Sequence, residues 1–124
     1  AKDEGEIVTS VKVPASSASA YAKFPNPASR YAVVGVGVSL TMNGGTCESA
    51  SVGITGAADH AYRASGAESA LAGSDLGDDA LSEAALQVAN GQDMMNDLSA
   101  SADYRAHLCG VMLKRAVAAA KARN

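Results

Sequence analysis

The sequence predicts an α+β domain, in which one apolar face of an antiparallel sheet is covered by a layer of three helices. Two observations predict it: a hairpin pattern occupies residues 31–55, and every helical pattern lies after the strands along the chain. Strands followed by helices are typical of α+β domains, whereas alternation of the two indicates a parallel α/β sheet.

The hairpin stretch alternates apolar and small side chains with a period of two, the pattern of a half-buried strand. One face carries the larger apolar residues Val34, Val36, Val38, Leu40, Met42, Ala50, Val52 and Ile54. The other face carries the small residues Gly35, Gly37, Ser39, Thr41, Ser49, Ser51, Gly53 and Thr55. Asn43-Gly44 lies between the two runs and predicts a tight turn with positive φ angles.

Two shorter extended stretches precede the hairpin. Glu6 to Val13 alternates apolar and polar residues and is predicted to be a strand that Pro14 ends, since proline cannot donate to a continuing ladder. After a small polar connector at 15–19, residues 20–24 are predicted to be extended until Pro25-Asn26-Pro27 breaks them.

Each of the three helices has a candidate N-terminal cap. Ser65 with Glu68 has the spacing of a capping box for a short helix ending near Gly73. Asp78 or Asp79 is predicted to cap the second helix. Ser101 is predicted to cap the third, with Asp103 in its first turn and an apolar stripe of Tyr104, Leu108, Val111, Met112 and Ala116.

Composition excludes several classes of protein. The 124 residues suffice for one modest core, and a net charge of −3 gives no electrostatic attraction to nucleic acid. No apolar run approaches the roughly 20 residues of a membrane span. Cys47 and Cys109 lack metal-binding or redox spacing, so two buried free thiols in a reducing cytoplasm are expected. The start at Ala1, without an initiator Met, predicts a piece of a longer or processed polypeptide.

The residues show no catalytic constellation. His60 and His107 have no partners at metal-ligand spacing, and the cluster of Asp75, Asp78 and Asp79 is interpreted as a solvated helix start. Gly35-Val-Gly37 lacks the third glycine of a dinucleotide fingerprint and is interpreted as a place where helices or another subunit approach closely. Tyr21 and Lys23 are the remaining candidates, because an exposed tyrosine in an extended segment can stack on a planar ligand.

A set of motifs in order resembles the C-terminal domain of the FAD-binding medium subunit of aerobic carbon monoxide dehydrogenases, which are molybdenum hydroxylases related to xanthine dehydrogenase. The motifs are Ser-Ala-Tyr-Ala-Lys-Phe at 19–24, Arg-Tyr-Ala at 30–32, Leu-Thr-Met-Asn-Gly-Gly-Thr-Cys at 40–47, Ser-Val-Gly-Ile-Thr at 51–55, Asp-Tyr-Arg at 103–105 and Cys-Gly-Val-Met-Leu-Lys-Arg-Ala-Val at 109–117. The resemblance implies a three-stranded antiparallel sheet with a helical layer over 15–124. It also implies that 1–14 is the last strand of a preceding FAD-binding domain.

The resemblance further implies a place in electron transfer. Electrons would pass from a molybdenum cofactor in a large subunit, through two [2Fe-2S] clusters in a small subunit, to FAD in this subunit and then to a quinone-type acceptor. The expected assembly is a dimer of heterotrimers in the cytoplasm, without nucleic acid, reaching the inner face of the membrane through its quinone partner. Tyr21 matches the family tyrosine that lies against the isoalloxazine ring; Lys23 shares the motif without an assigned role.

Two alternatives stay open. The same domain occurs in hydroxylases of purines and other N-heterocycles, and the substrate is determined in the large subunit. The apolar sheet face and alanine-rich helices would equally suit a structural or interaction module without flavin, although an unpaired strand at 6–13 argues against a freestanding domain.

Overall fold

The strands precede the helices, as the sequence predicts. The computed structural model describes residues 3–16 and 18–123. The elements in chain order are β1 (Ser19–Pro25), β2 (Ala32–Asn43), β3 (Thr46–Thr55), β4 (Tyr62–Arg63), α1 (Ser65–Leu71), α2 (Asp78–Gln87) and α3 (Ala102–Lys121). The α+β class and the three helices are therefore confirmed.

The sheet is antiparallel with the order β1-β2-β3-β4, one strand more than predicted. The extra strand is β4, whose two residues pair with Gly53 and Ile54 at the edge of β3. A strand of two residues is too short to produce a periodic hydrophobic pattern, so this strand could not be predicted from the sequence.

The hairpin between β2 and β3 turns one residue later than predicted. Asn43 still pairs with Thr46, and the loop consists of Gly44 and Gly45, with φ of 57° and 90°. Positive φ at both loop residues is the requirement of a type I′ turn, which glycine meets without steric cost.

The two faces of the sheet differ as predicted. Val34, Val36, Val52 and Ile54 are at most 1% exposed and form the centre of the core. The helices cover this face, with α3 against β1 and β2 and α1 against β3. The opposite face holds the small residues and has no helix over it in the described part of the chain.

The segment 6–13 forms no strand in the structure. Ile7, Val8, Val11 and Val13 are 70–82% exposed and join no sheet of the described residues. A strand needs a neighbour for its backbone hydrogen bonds, and among the residues that the structure describes β1 pairs with β2 and not with 6–13. The assignment of 1–14 to a preceding domain stays a prediction.

Two of the three helix caps differ from the predictions. Helix α1 follows Ala64, and Ser65 is already its first helical residue, so the Ser65–Glu68 capping box does not form. Helix α2 follows Gly77 without a side-chain cap, and Asp78 and Asp79 lie in its first turn, where their charge suits the helix dipole.

The cap of α3 is confirmed. The Ser101 hydroxyl accepts a hydrogen bond from the Tyr104 backbone amide at 3.3 Å. Leu108, Met112 and Ala116 are buried as expected, whereas Tyr104, at the start of the stripe, is 45% exposed and packs edge-on against Phe24.

Both cysteines are buried free thiols, as predicted. Burial raises the pKa of the Cys47 thiol and of the Cys109 thiol. Since the thiolate is the reactive form, neither group is suited to nucleophilic or redox chemistry at neutral pH.

Candidate functional site

Tyr21 lies on the uncovered face of the sheet. It occupies the middle of β1, pairs with Gly37 of β2 and is 56% exposed. Strand alternation turns Ala20 and Ala22 toward the core and Tyr21 and Lys23 away from it. The large aromatic side chain of Tyr21 therefore remains accessible to a ligand beside the small residues of β2.

The ring of Tyr21 rests on the glycines of β2. A methyl group on Gly35 would overlap the Tyr21 hydroxyl, and one on Gly37 would lie 4.0 Å from Cδ2 of the ring. The near neighbour of these glycines in the chain is thus a side chain of the adjacent strand and not a helix, while the approach of another subunit stays a prediction. We call Tyr21, Gly35 and Gly37 the Tyr21 platform.

Lys23 is on the same face but makes a local contact. Its Nζ donates a 3.0 Å hydrogen bond to the carbonyl oxygen of Arg30, in the turn between β1 and β2. Arg30 has a φ of 64°, in the left-handed region that non-glycine residues seldom adopt. The structure thus gives Lys23 a role in holding this turn, and its predicted cofactor contact stays a prediction.

A shallow, open depression of about 950 Å³ extends from the platform across β2 and β3 to β4. Its floor is made of the small residues Gly37, Ser39, Ser51, Gly53 and Thr55. Arg63 and Arg123 also line the depression, but the floor residues themselves are small, so a flat ligand or another protein segment can approach the sheet next to Tyr21.

The far edge of the depression is fixed by Glu68 of α1. Its carboxylate accepts hydrogen bonds from the backbone amide of Val52 at 2.8 Å and from Nε of Arg63 at 2.7 Å. Glu68 thereby satisfies an amide just beyond the short β4 ladder, and its side chain raises the pKa of Arg63. Glu68, which the spacing suggested as part of a capping box, therefore holds the edge of the sheet instead.

Among the described residues Arg105 is a buried charge, and the sequence pattern had indicated it only as part of a motif. The side chain is 3% exposed, and its Nη1 donates to the carbonyls of Val33 and Gly56, both at 2.7 Å. Its Nη2 donates to both carboxylate oxygens of Asp97 at 2.8 Å. Arg105 thus joins α3, the start of β2, the end of β3 and the connector before α3.

Asp97 should make stability depend on pH. The backbone amide of Ser99 and then the Arg105 guanidinium lower the pKa of its carboxyl group. A depressed folded-state pKa stabilises the fold at pH values above the unfolded value of about 4, and this contribution disappears as pH falls through the folded pKa. We expect Asp97→Asn to lower the urea midpoint at pH 7, and the difference from the unsubstituted chain to shrink as pH falls from the unfolded value through the lowered folded pKa. A difference that stays constant over this range would contradict the assignment.

The remaining candidate residues are not brought together. His60 contacts its neighbour Asp59 on the surface, whereas His107 stacks on Tyr104 of α3. Asp75 accepts a hydrogen bond from the Gly77 amide before α2, consistent with a structural turn. Within residues 3–16 and 18–123 no cluster of three potential metal ligands occurs, and no helix is both long and apolar enough to cross a bilayer.

Comparison with known proteins places this geometry in a family. The model of the CO dehydrogenase flavoprotein C-terminal domain matches residues 19–120. The carbon monoxide dehydrogenase medium chain of Afipia carboxidovorans is 36% identical over 124 residues, covering 98% of this chain and 43% of that protein. The medium chain of Hydrogenophaga pseudoflava is 31% identical, with the same shares covered.

A solved structure shows the same fold. Reconstituted CO dehydrogenase from Oligotropha carboxidovorans matches with a TM-score of 0.83 and 37% identity, over 92% of this chain and 40% of that chain. The present chain thus spans less than half of the medium chains it matches. From sequence, fold and solved structure together, the chain belongs to the family of CO dehydrogenase flavoprotein C-terminal domains.

Proposed function

We propose that this chain is the C-terminal part of the FAD-binding medium subunit of an aerobic carbon monoxide dehydrogenase, with Tyr21 lying against the flavin ring. The observation that carries the proposal is the exposed ring of Tyr21 beside the glycines of β2. It occurs in a chain whose relatives are carbon monoxide dehydrogenase medium chains.

The residues fit one part of FAD and not the rest. The ring of Tyr21 offers a flat aromatic surface, and the small-residue floor beside it leaves room for a planar ring system. Gly35-Val-Gly37 lies inside a strand, so it does not form the glycine-rich turn that binds a pyrophosphate at a helix start. The nucleotide part of the cofactor is therefore assigned to residues outside this chain.

This chain would contribute by burying one side of the flavin ring and by orienting the ring. When bound, FAD supplies the electron-carrying chemistry between the iron–sulfur clusters of a small subunit and a quinone-type acceptor. Tyr21 would exclude water from one side of the ring and lower the local polarity. Offset stacking of two aromatic systems is worth about 0.5–1.5 kcal/mol beyond area burial.

The exposed segment at 6–13 supports a longer subunit. Four large apolar side chains within this short segment are exposed. Single exposed residues of this kind are common, whereas several close together indicate a contact surface. We propose that this segment is the last strand of the preceding FAD-binding domain, where its backbone would find the neighbour it lacks here. The large molybdenum subunit, which would contain the molybdenum cofactor, and the small iron–sulfur subunit are the other proposed partners.

The Tyr21 contact is tested in the complete flavoprotein. We expect Tyr21→Ala to weaken FAD binding about 2- to 12-fold, which corresponds to the loss of one aromatic pair. Tyr21→Phe keeps the ring and should bind FAD nearly as well as the unsubstituted protein. Tyr31→Ala is the matched control, since Tyr31 is 81% exposed and lies outside the depression.

Flavin titration monitored by absorbance and flavin fluorescence measures the affinity. Equal affinity of the Tyr21→Ala protein and the unsubstituted protein would contradict the contact. The visible spectrum of the native sample separates the flavoprotein from the module without flavin. Assays with carbon monoxide and with purines then distinguish a carbon monoxide dehydrogenase from an N-heterocycle hydroxylase.

A further inference from the structure

We infer that Gly35 is a positioning residue, whose missing side chain determines where the ring of Tyr21 lies on the sheet. The inference rests on the proposed function for its consequence at the flavin, but its geometry is independent of any ligand. It adds a residue on β2, separate from the tyrosine itself, to the determinants of the proposed flavin contact.

The first step is the direction of the ring. Cδ2 of Tyr21 lies over Gly37, its partner in the β1–β2 register, whereas Cζ and the hydroxyl lie over Gly35. Residues two apart on one strand point to the same face and are about 7 Å apart. The long axis of the ring therefore runs along β2 from Gly37 to Gly35.

The second step is that the two glycines are not equivalent. A Cβ atom at position 37 would make an ordinary contact at 4.0 Å. At position 35 it would lie 2.9 Å from Cζ of Tyr21 and overlap the hydroxyl, with Cγ2 of Thr55 3.0 Å away on the other side. A methyl group at position 35 is confined between Thr55 and Tyr21, so the far end of the tyrosine has to move.

The third step concerns what such a movement changes. Tyr21 is attached to β1 and its ring end is free to rotate, so the fold can accommodate the displacement at small cost. The plane of the ring relative to the sheet would nevertheless change, and an offset stack on a flat ligand depends on that plane. Gly35→Ala should therefore alter the stacking surface while the domain stays folded.

Nuclear Overhauser contacts in the 124-residue chain test the geometry without flavin. In the unsubstituted chain we expect contacts from the Tyr21 ring protons to the α protons of both Gly35 and Gly37. Gly35→Ala should shift the Tyr21 ring resonances and weaken the contact to Gly37. Gly37→Ala, the matched control on the same strand, should retain the contact between Tyr21 and Gly35.

Two results would overturn the inference. One is the absence of the Tyr21–Gly35 contact in the unsubstituted chain; the other is a Gly35→Ala chain with unchanged ring resonances. If Gly35→Ala does not fold, the double variant Tyr21→Ala with Gly35→Ala should fold, because removing the ring removes the overlap. A double variant that also fails to fold counts against Tyr21 as the cause.

The flavin measurement separates this inference from the proposed function. In the complete flavoprotein, Gly35→Ala should weaken FAD binding at least twofold, in the same direction as Tyr21→Ala. If Tyr21→Ala weakens binding and Gly35→Ala does not, the positioning role is wrong. If Tyr21→Ala has no effect, the flavin contact itself is wrong, and the nuclear Overhauser contacts still decide whether Gly35 positions the ring.

Discussion

Arg105→Ala is expected to lower the free energy of unfolding by about 2–4 kcal/mol, since each buried carbonyl left without its donor costs about 1–3 kcal/mol. The guanidinium is buried and serves the carbonyls of Val33 and Gly56 in addition to the carboxylate of Asp97. The ladder between β2 and β3 ends at the pair Gly35–Thr55, so it does not join the segments that contain these acceptors. Removing the side chain therefore releases three attachments at once.

Arg105→Lys tests whether the shape of the group matters or only its charge. A lysine ammonium is a compact donor and cannot reproduce the planar fork that reaches the two carbonyls and Asp97 together. We expect the lysine variant to lie between alanine and the unsubstituted chain in urea unfolding followed by circular dichroism.

The control is Arg115→Ala, which removes the same charge from the exposed side of α3. A surface substitution of this kind is expected to change stability by no more than about 0.5 kcal/mol. Equal urea midpoints for the Arg105→Ala and Arg115→Ala chains would show that the buried contacts of Arg105 contribute nothing.

The sequence predicted the parts of the fold that depend on periodic burial. The alternation from Val34 to Ile54 determined which face of the hairpin meets the helices, because a slip of one residue would expose the whole apolar set. Ser101 could also be predicted, since its side chain needs only the amide of a residue three positions on. These signals are local and do not require knowledge of distant contacts.

The features that the sequence did not predict depend on pairs far apart along the chain. Glu68 looked like the partner of a capping serine, but its carboxylate reaches Val52, 16 residues earlier. Gly35 was interpreted as space for another element, although its neighbour is Tyr21 on the adjacent strand. Arg105 bonds to Val33 across 72 residues, a contact that no spacing rule describes. In the candidate site, Tyr21 could be predicted from its motif. The position of its ring over Gly35 and Gly37 of β2 could be seen only in the structure.

Leu71→Ala is expected to lower the free energy of unfolding by about 2–5 kcal/mol, the range for deleting a buried leucine side chain. Helix α1 has only seven residues, and Ala67 and Leu71 are the two that it buries. So short a helix is not stable alone and depends on packing for its existence. The core around it is made mainly of alanine and valine, so few larger side chains can move to fill the space that Leu71 leaves.

The same substitution at Leu86 shows how much of the loss in stability comes from lost packing and how much from the change in helix propensity. Leu86 lies on α2 and is 75% exposed, so Leu86→Ala should change the free energy of unfolding by no more than about 0.5 kcal/mol. Because α1 also bears Glu68, its loosening should release the amide of Val52 and the Arg63 side chain at the edge of the sheet. We therefore expect hydrogen exchange of the Val52 amide to quicken in the Leu71→Ala chain and to stay unchanged in the Leu86→Ala chain. An unchanged Val52 amide in both variants would mean that the edge of the depression does not depend on the packing of α1.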